Sequence, residues 1–553
     1  MQTILQGWRP YAILTLLCAL LYLPGLAAVP PLDRDESRFV QASRQMMVTD
    51  DYVTIWFQDE PRHKKPVGIH WLQSASVEAF SDPHSTAVWP YRLVSVLGAV
   101  LAVIGTFYFG AALFDRRVAF AAAGILGASL ILVTEAHQAK TDAMLLACAV
   151  AAQGVFARLY LQSRGGGVAV PGWNVVLFWL AIGWAVMVKG PVVPVVVLLT
   201  MLALAVADRS VSWLHGLRPV MGMPLALAVF LPWYLAVGEA TDGGFLAEAV
   251  GKDLLPKLLA GQESHGAPPG YYLLLATVTF WPGSLFLWPS LWRSWRQRTQ
   301  PALRFLLAWL VPAWLMFELV PTKLPHYTLP TYPALALMVA AALFAVRDGT
   351  WDMLARRGAR AWYAVWAVVG VALAVAAVVL PVHYGDGFNA LSLPVAAAAL
   401  AAAAVPLWLA WRRRFLNAMA AGVAAAALTY GGVFAFVLPS LTDLAVSPRL
   451  AAAYEAASAP GRPFPLVSTG YSEPSLVFLA GTETRLASPE EAATYVADNP
   501  GALAAVESRQ QQRFLEVLAE RPEVAVTPVD RVQGFNYSRG REVDIILYRS
   551  GPS

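Results

Sequence analysis

Cysteine and charge are both scarce in this chain. Two cysteines occur in 553 residues, Cys18 and Cys148, and each lies in an apolar run, which excludes a disulfide framework and a cysteine metal site. Charged residues make up 14% against 58% hydrophobic ones, a balance that excludes a soluble globule and indicates a polytopic α-helical membrane protein. No Gly-rich phosphate loop follows a strand, so a nucleotide sugar is not expected as a donor, and Gly165-Gly166-Gly167 reads as a plain connection. His63 and His70 stand seven apart without acids in register, so no metal is assigned; a divalent ion stays an open option that ligand spacing does not support. The formal charge of +4 says little about partners, and no nucleic acid is expected.

What is present is a series of apolar runs, at about residues 11–30, 90–111, 118–134, 142–161, 172–188, 191–207, 217–238, 270–291, 303–320, 328–346, 361–380, 391–411 and 415–438. They predict about 13 transmembrane helices. The first reads as an uncleaved span rather than a cleavable signal peptide, and the loop after it is exported under either reading. Lysine and arginine should collect in every second connection, and the even ones carry seventeen arginines, from Arg116 and Arg117 to Arg412, Arg413 and Arg414, against four acids. The odd ones hold every lysine: Lys64, Lys65, Lys140, Lys189, Lys252, Lys257 and Lys323. The N-terminus is therefore expected to be cytoplasmic and the chemistry to face outward. Residues 440–553 lack a span and mix short apolar runs, such as 465–468 and 543–548, with helical stretches such as 502–518, which predicts a small exported α/β domain.

The first outer loop, residues 31–89, brackets a carboxylate pair and a lysine pair. Phe39, Val40, Met46 and Met47 share one side of a helix, a pattern that suits a helix lying on a membrane surface. Asp33 and Asp35 start it, where a carboxylate can cap free amides and meets the positive end of the helix dipole. Asp35 with Glu36 can supply the carboxylate that a glycosyl transfer needs to take a proton or orient an acceptor; a helix cap paired with Arg34 or Arg38 is the plainer reading. Lys65, before Pro66 and near Trp71, suits a lipid phosphate, with ordinary snorkelling as its competitor. Asp142 opens the fourth span as a helix-start acid or a catalytic one. Lys189, between two spans, costs ~2.5–3.5 kcal/mol at mid-membrane, which favours an anionic or water-filled cavity around it. Residues 322–330 join Lys323, His326 and Tyr327 between prolines, three donors that suit a phosphate or diphosphate, and His265 in the loop 239–269 is a further candidate.

These strings resemble the membrane-embedded GT-C glycosyltransferases that use polyprenyl-phosphate sugars, specifically family 83, the bacterial lipid A aminoarabinose transferases, which are related to protein mannosyltransferases. Asp35-Glu36-Ser37-Arg38-Phe39 is similar to the family's Asp-Glu-x-Arg-Tyr, Lys65-Pro66 with Trp71 to its Lys-Pro-Pro-x-x-x-Trp, and residues 323–330 to its Lys-Leu-Pro-x-Tyr-x-Leu-Pro; Thr141-Asp142 and Lys189-Gly190 also match. The resemblance implies a GT-C catalytic domain over residues 1–439 and a periplasmic domain over 440–553. It implies Asp35 as the catalytic carboxylate, with Lys65, Lys189 and Tyr327 lining the lipid phosphate or sugar site. Lys64 stands where the aminoarabinose enzymes have glutamate, so that glutamate's role does not carry over, and Phe39 replaces tyrosine.

The expected activity is inverting transfer of a sugar from a polyprenyl (undecaprenyl) phosphate to lipid A or another envelope acceptor at the periplasmic face of a bacterial inner membrane. A protein O-glycosyltransferase of the mannosyltransferase type is the first alternative. A lipid-linked sugar transporter is the second, disfavoured because no repeated halves are visible and the charges sit at outer helix ends. An envelope scaffold is weaker still.

Overall fold

Inside lipid a backbone amide has no water to bond, so each apolar run must close its hydrogen bonds internally, and every run noted above contains helix. The computed structural model describes residues 5–166, 169–249, 251, 266–345, 350–458 and 464–552. The membrane part begins with α1 (Arg9–Tyr22), α2 (Asp35–Thr49), the short antiparallel strands β1 (Trp56–Phe57) and β2 (Glu60–Pro61), and α3 (Gly68–Phe80). It continues through α4 (Trp89–Leu113), α5 (Arg116–Gly127), α6 (Leu130–Ala136), α7 (Asp142–Ser163), α8 (Gly172–Lys189), α9 (Val192–Asp208) and α10 (Pro219–Ala240). Among the described residues nine helices are long and apolar enough to cross a membrane, or ten if α5 and α6, bent by 61°, form one span. Helices α1 and α9 are apolar but shorter, and the run 270–291 is broken into Tyr271–Thr279, Gly283–Phe286 and Leu287–Arg296. The chain is a multi-pass helical membrane protein.

The span at Pro325–Phe344 is buried along most of its length, whereas that at Arg357–Tyr384 exposes most of its apolar surface, as a helix at a lipid boundary should. Glycines bring the central helices into close approach. A Cβ on Gly98 of α4 would stand 2.6 Å from the amide nitrogen of Met144 in α7, and one on Gly68 at the start of α3 would stand 2.7 Å from the Met187 carbonyl of α8. The second crossing matters for function, because Lys65 lies three residues before Gly68 and Lys189 two after Met187.

Helix α2 departs from its expected place on a membrane surface. Beyond Phe39, Val40 and Met46 it also buries Gln41, Ser43 and Gln45, because it is wedged between α3 and the C-terminal domain. Its polar side is satisfied there: Ser43 donates to Gln73 at 2.7 Å and lies 2.8 Å from His70 Nδ1, while Gln41 reaches Thr482 at 2.8 Å. No side chain caps its start; Glu36 reaches back to the Leu32 amide instead.

The C-terminal sheet runs β4 (Arg485–Ala487), β3 (Leu466–Thr469), β5 (Leu503–Glu507), β7 (Arg541–Pro552), β6 (Val524–Asn536). Strand β3 is parallel to β4 and β5, and β7 is antiparallel to β5 and β6. The pleat sorts β5 by alternate residues: Leu503 and Ala505 pack toward Leu450 on the helix Val446–Ala457, while Ala504 and Val506 pack toward Val496 and Phe514 on the other face. The stretch 502–518, expected as helix, is β5 followed by the helix Ser508–Leu518: its first residues are small and apolar on both faces and become a strand buried from both sides.

The α4–α7 crossing gives a direct test. Gly98→Val should lower stability by about 1–3 kcal/mol through overpacking against Met144, read as a fall in melting temperature of the purified chain in detergent; an unchanged transition would mean that the helices separate without cost.

Candidate active site

Three charged constellations meet where α4 and α7 start and α6 and α8 end. The first surrounds Glu36, whose side chain is fully buried. Its two oxygens accept from Arg92 Nε and an Arg92 terminal nitrogen, each at 2.8 Å, from the Leu32 amide at 2.8 Å and from the Ala139 amide at 2.7 Å. Arg92 spends its remaining donors on the carbonyls of Leu26, Val29 and Pro30. A carboxylate with four donors and no exposure has neither a lone pair nor a path for substrate. Glu36, expected among the catalytic groups, is corrected to a structural anchor that ties the end of the first span to α2, α4 and the loop before α7.

The second constellation is an alternating lattice of acids and cations. Lys140 donates to Glu135 at 3.1 Å, and Lys189 donates to Asp142 at 2.5 Å. His326 stands between them, Nδ1 3.6 Å from Glu135 and Nε2 3.8 Å from Asp142. The Lys189 ammonium also lies 5.6 Å from the centroid of the Tyr327 ring, a cation–π distance. Local structure explains the placement of Lys189: α8 ends there because Gly190 takes φ +69°, and a cation in the last turn faces the negative end of the helix dipole. Tyr327 and His326 are carried by a 3₁₀ turn, Pro325–Thr331, in which Pro325 and Pro330 restrict the backbone.

Asp35 forms the third. It opens to solvent at the first turn of α2, recessed among cations. Partial burial pushes its carboxyl up, but Lys140, Arg62, His326 and Arg38 together outweigh that and hold it below the ordinary carboxylate range. Arg34 before it takes φ +67°, a conformation that costs a non-glycine residue about 1–3 kcal/mol and is held by its surroundings. One open carboxylate thus stands against a lattice whose other acids are already paired, an arrangement that favours an ionised oxygen facing outward and cations able to receive an anion beside it.

Of the residues expected in the site, Asp35, Asp142, Lys189, His326 and Tyr327 come together. Lys65 precedes the α3–α8 crossing next to Lys189. Lys323 is buried and donates to the Val320 carbonyl at 2.7 Å, so its ammonium is turned to its own loop. His265 lies outside the described residues. Glu135, Arg62 and Arg92 were missed by sequence reasoning. The available signal was their setting: an acid at the end of an apolar run and an arginine near the start of another are both costly unless paired. Glu135, Asp142 and His326 each offer one ligand atom within 4.8 Å of the others, a set assembled from three segments that no spacing rule could find. Lys140 and Lys189 already neutralise both carboxylates, so the set fits a salt-bridge lattice better than a dication beside two ammonium groups.

The chain superposes on the crystal structure of ArnT from Cupriavidus metallidurans bound to undecaprenyl phosphate with a TM-score of 0.77, 18% identity and 98% of each chain covered. The chain has the ArnT fold, of the GT-C type. The archaeal oligosaccharyltransferase AglB from Archaeoglobus fulgidus is more distant, at a TM-score of 0.53 and 13% identity over 92% of this chain and 70% of that one. Residues 64–235 match the family model described as dolichyl-phosphate-mannose-protein mannosyltransferase. The undecaprenyl phosphate-alpha-4-amino-4-deoxy-L-arabinose arabinosyl transferase of Yersinia pestis (strain Pestoides F) is 26% identical over 332 residues, 60% of this chain and 58% of that protein. That of Edwardsiella ictaluri (strain 93-146) is 26% identical over 338 residues, 61% and 59%. The matched region thus spans less than two thirds of these relatives' length. Within the ArnT fold, the lattice sits at the end of α6, the start of α7 and the end of α8, beside the first-loop helix α2.

Removing one partner of the Glu36–Arg92 pair leaves a buried uncompensated charge, a loss of about 3–5 kcal/mol. Arg92→Met should therefore leave little folded protein by size-exclusion chromatography, whereas the double change Arg92→Met with Glu36→Gln should recover part of the melting temperature; no recovery would mean that Arg92 acts through its carbonyl contacts alone.

Proposed function

We propose that this chain is an inverting glycosyltransferase that moves a sugar from a polyprenyl phosphate, undecaprenyl phosphate by similarity to the relatives, to lipid A or another exported envelope acceptor at the periplasmic face of the inner membrane. The observation that carries the reading is the single open carboxylate, Asp35, facing the Lys140–Glu135–His326–Asp142–Lys189 lattice. In this reading residues 1–439 form the catalytic membrane domain, with loop 31–89 covering the site, and residues 440–553 lie in the periplasm.

The chemistry asks for two things of the protein. As the acceptor oxygen bonds to the anomeric carbon, the bond from that carbon to the phosphate oxygen breaks, and the lipid phosphate leaves with one more negative charge. Lys65, Lys189 and the Tyr327 hydroxyl receive that charge, in a region where low dielectric makes each cation worth more than in water. On the opposite face of the sugar, Asp35 orients the acceptor. A phosphate acceptor is already anionic and needs no base; a hydroxyl acceptor gives its proton to Asp35. Asp142 keeps Lys189 in place rather than touching the sugar. A second reading, transfer to a protein hydroxyl, draws on the mannosyltransferase description matched by residues 64–235.

Lipid A mass spectra from cells with and without the intact gene, and with Asp35→Asn, test the first reading: the sugar should vanish in both altered strains at normal protein level. An unchanged spectrum without the gene would turn attention to glycoproteins. Lys65→Ala should reduce co-purification of polyprenyl phosphate, measured by extraction of the purified chain, and undiminished lipid would remove Lys65 from the phosphate site.

A further inference from the structure

The proposed transfer leaves unexplained why the C-terminal sheet domain grips the start of α2. Tyr537 and Ser538 form the tip of the β6–β7 hairpin, and this tip reaches the first outer loop rather than solvent. The Asp33 amide donates to Tyr537 Oη at 2.6 Å, and Arg34 donates to the Ser538 carbonyl at 2.5 Å. Ser475, at the start of the helix Pro474–Ala480, donates to the Asp33 carboxylate. Behind it Ser475 Oγ lies 2.6 Å from Ser447 Oγ, which lies 2.7 Å from Tyr471 Oη, so three hydroxyls are strung in a buried row that ends on Asp33. Buried Glu473 fixes the hairpin tip by accepting from Asn536 at 2.9 Å and Ser538 at 2.5 Å. The domain is itself tied to the membrane part: Phe535 packs on Tyr384 at the end of a span, ring centroids 5.3 Å apart.

We propose that Ser475 and Tyr537 are positioning residues for the transfer reaction: they clamp Asp33 and thereby set where α2 holds Asp35. The inference rests on the reading that Asp35 serves in transfer. Three features assign this work to the clamp. Helix α2 has no side-chain cap of its own. Arg34, the residue between clamp and carboxylate, sits at φ +67°, so its backbone relaxes if released. Among the described residues the other hydrogen bonds of the domain with α2 and the loop after it, Gln41 to Thr482, Arg44 to the Phe478 carbonyl and Gln58 to the Thr482 and Thr484 carbonyls, lie farther along and leave the first turn to Asp33 and Arg34.

The clamp also carries a titration. Burial pushes the Asp33 carboxyl up to about 7, with the Glu473 carboxylate adding to the rise and Ser475, Tyr537 and Arg34 opposing it. Tyr471 is the other titratable group facing it. Because the folded pKa lies above the unfolded one, the clamped state holds a proton that the released state gives up; stability from this group declines as pH rises from about 4 to about 7 and is flat above.

The experiment uses the full chain in nanodiscs, with Tyr537→Phe, Ser475→Ala and, as a control on the far side of the domain, Arg513→Ala. A lost hydrogen bond of ordinary strength corresponds to about tenfold. Amide exchange over residues 33–40 should rise about tenfold and kcat should fall about tenfold in Tyr537→Phe and Ser475→Ala. The KM for the polyprenyl-phosphate sugar, polyprenyl phosphate binding and the control should stay at wild-type values. Asp33→Asn should flatten the decline of melting temperature between about pH 4 and pH 7. An active wild type whose kcat is unchanged in both clamp variants, or whose α2 amides exchange no faster, overturns this proposal alone. A wild type that transfers no sugar to any envelope acceptor overturns the transferase reading and the proposal with it.

Discussion

A charge at the edge of a membrane persists only in the company of its opposite, and this constraint organises the molecule. Removing an ion from water costs several kcal/mol, so the buried acids around α2 and the ends of α6 to α8 are matched, Glu36 by Arg92, Glu135 by Lys140, Asp142 by Lys189, while buried Glu318 accepts from the Gly270 and Leu273 amides instead. The pairs do different work. The first is saturated and sealed, and it joins the end of the first span to the loop that bears α2. The others are joined through His326, and Lys189 lies beside the Tyr327 ring. Asp35, exposed and ringed by cations, is the one acid of this group facing out.

Such a lattice needs rigid supports, and they come from both sides of α2. On the membrane side, glycine-mediated approaches at Gly68 and Gly98 bring α3 against α8 and α4 against α7. On the other side, the sheet domain presses a hairpin tip and a short helix onto Asp33 and Arg34. The loop that bears α2 is therefore held between two folded bodies, a more exact support than a helix floating on lipid would provide.

Much of this was legible in the chain. Hydropathy located each helical run, arginine clustering separated one set of connections from the other, and the alternation of Val543 to Tyr548 marked a strand. The strings around Asp35, Lys65, Lys189 and Tyr327 pointed to the ArnT-like fold before any coordinates. The errors have a common cause. Glu36 read as a catalytic partner because adjacency to Asp35 is visible in sequence, whereas its burial depends on pairing with Arg92, fifty-six residues away. Residues 502–518 read as one helix because periodicity cannot tell a strand buried on both faces from a buried helix.

The sequence by itself determined where the apolar helical runs lie and the kind of fold, because these follow from where each residue is stable relative to lipid and water, a property of short segments. Only the tertiary structure decided which acids are spent on structure and which one stays open. That choice is made by partners brought in from distant helices and from the hairpin tip, and the free energy of a buried charge depends on who stands beside it, not on its neighbours along the chain.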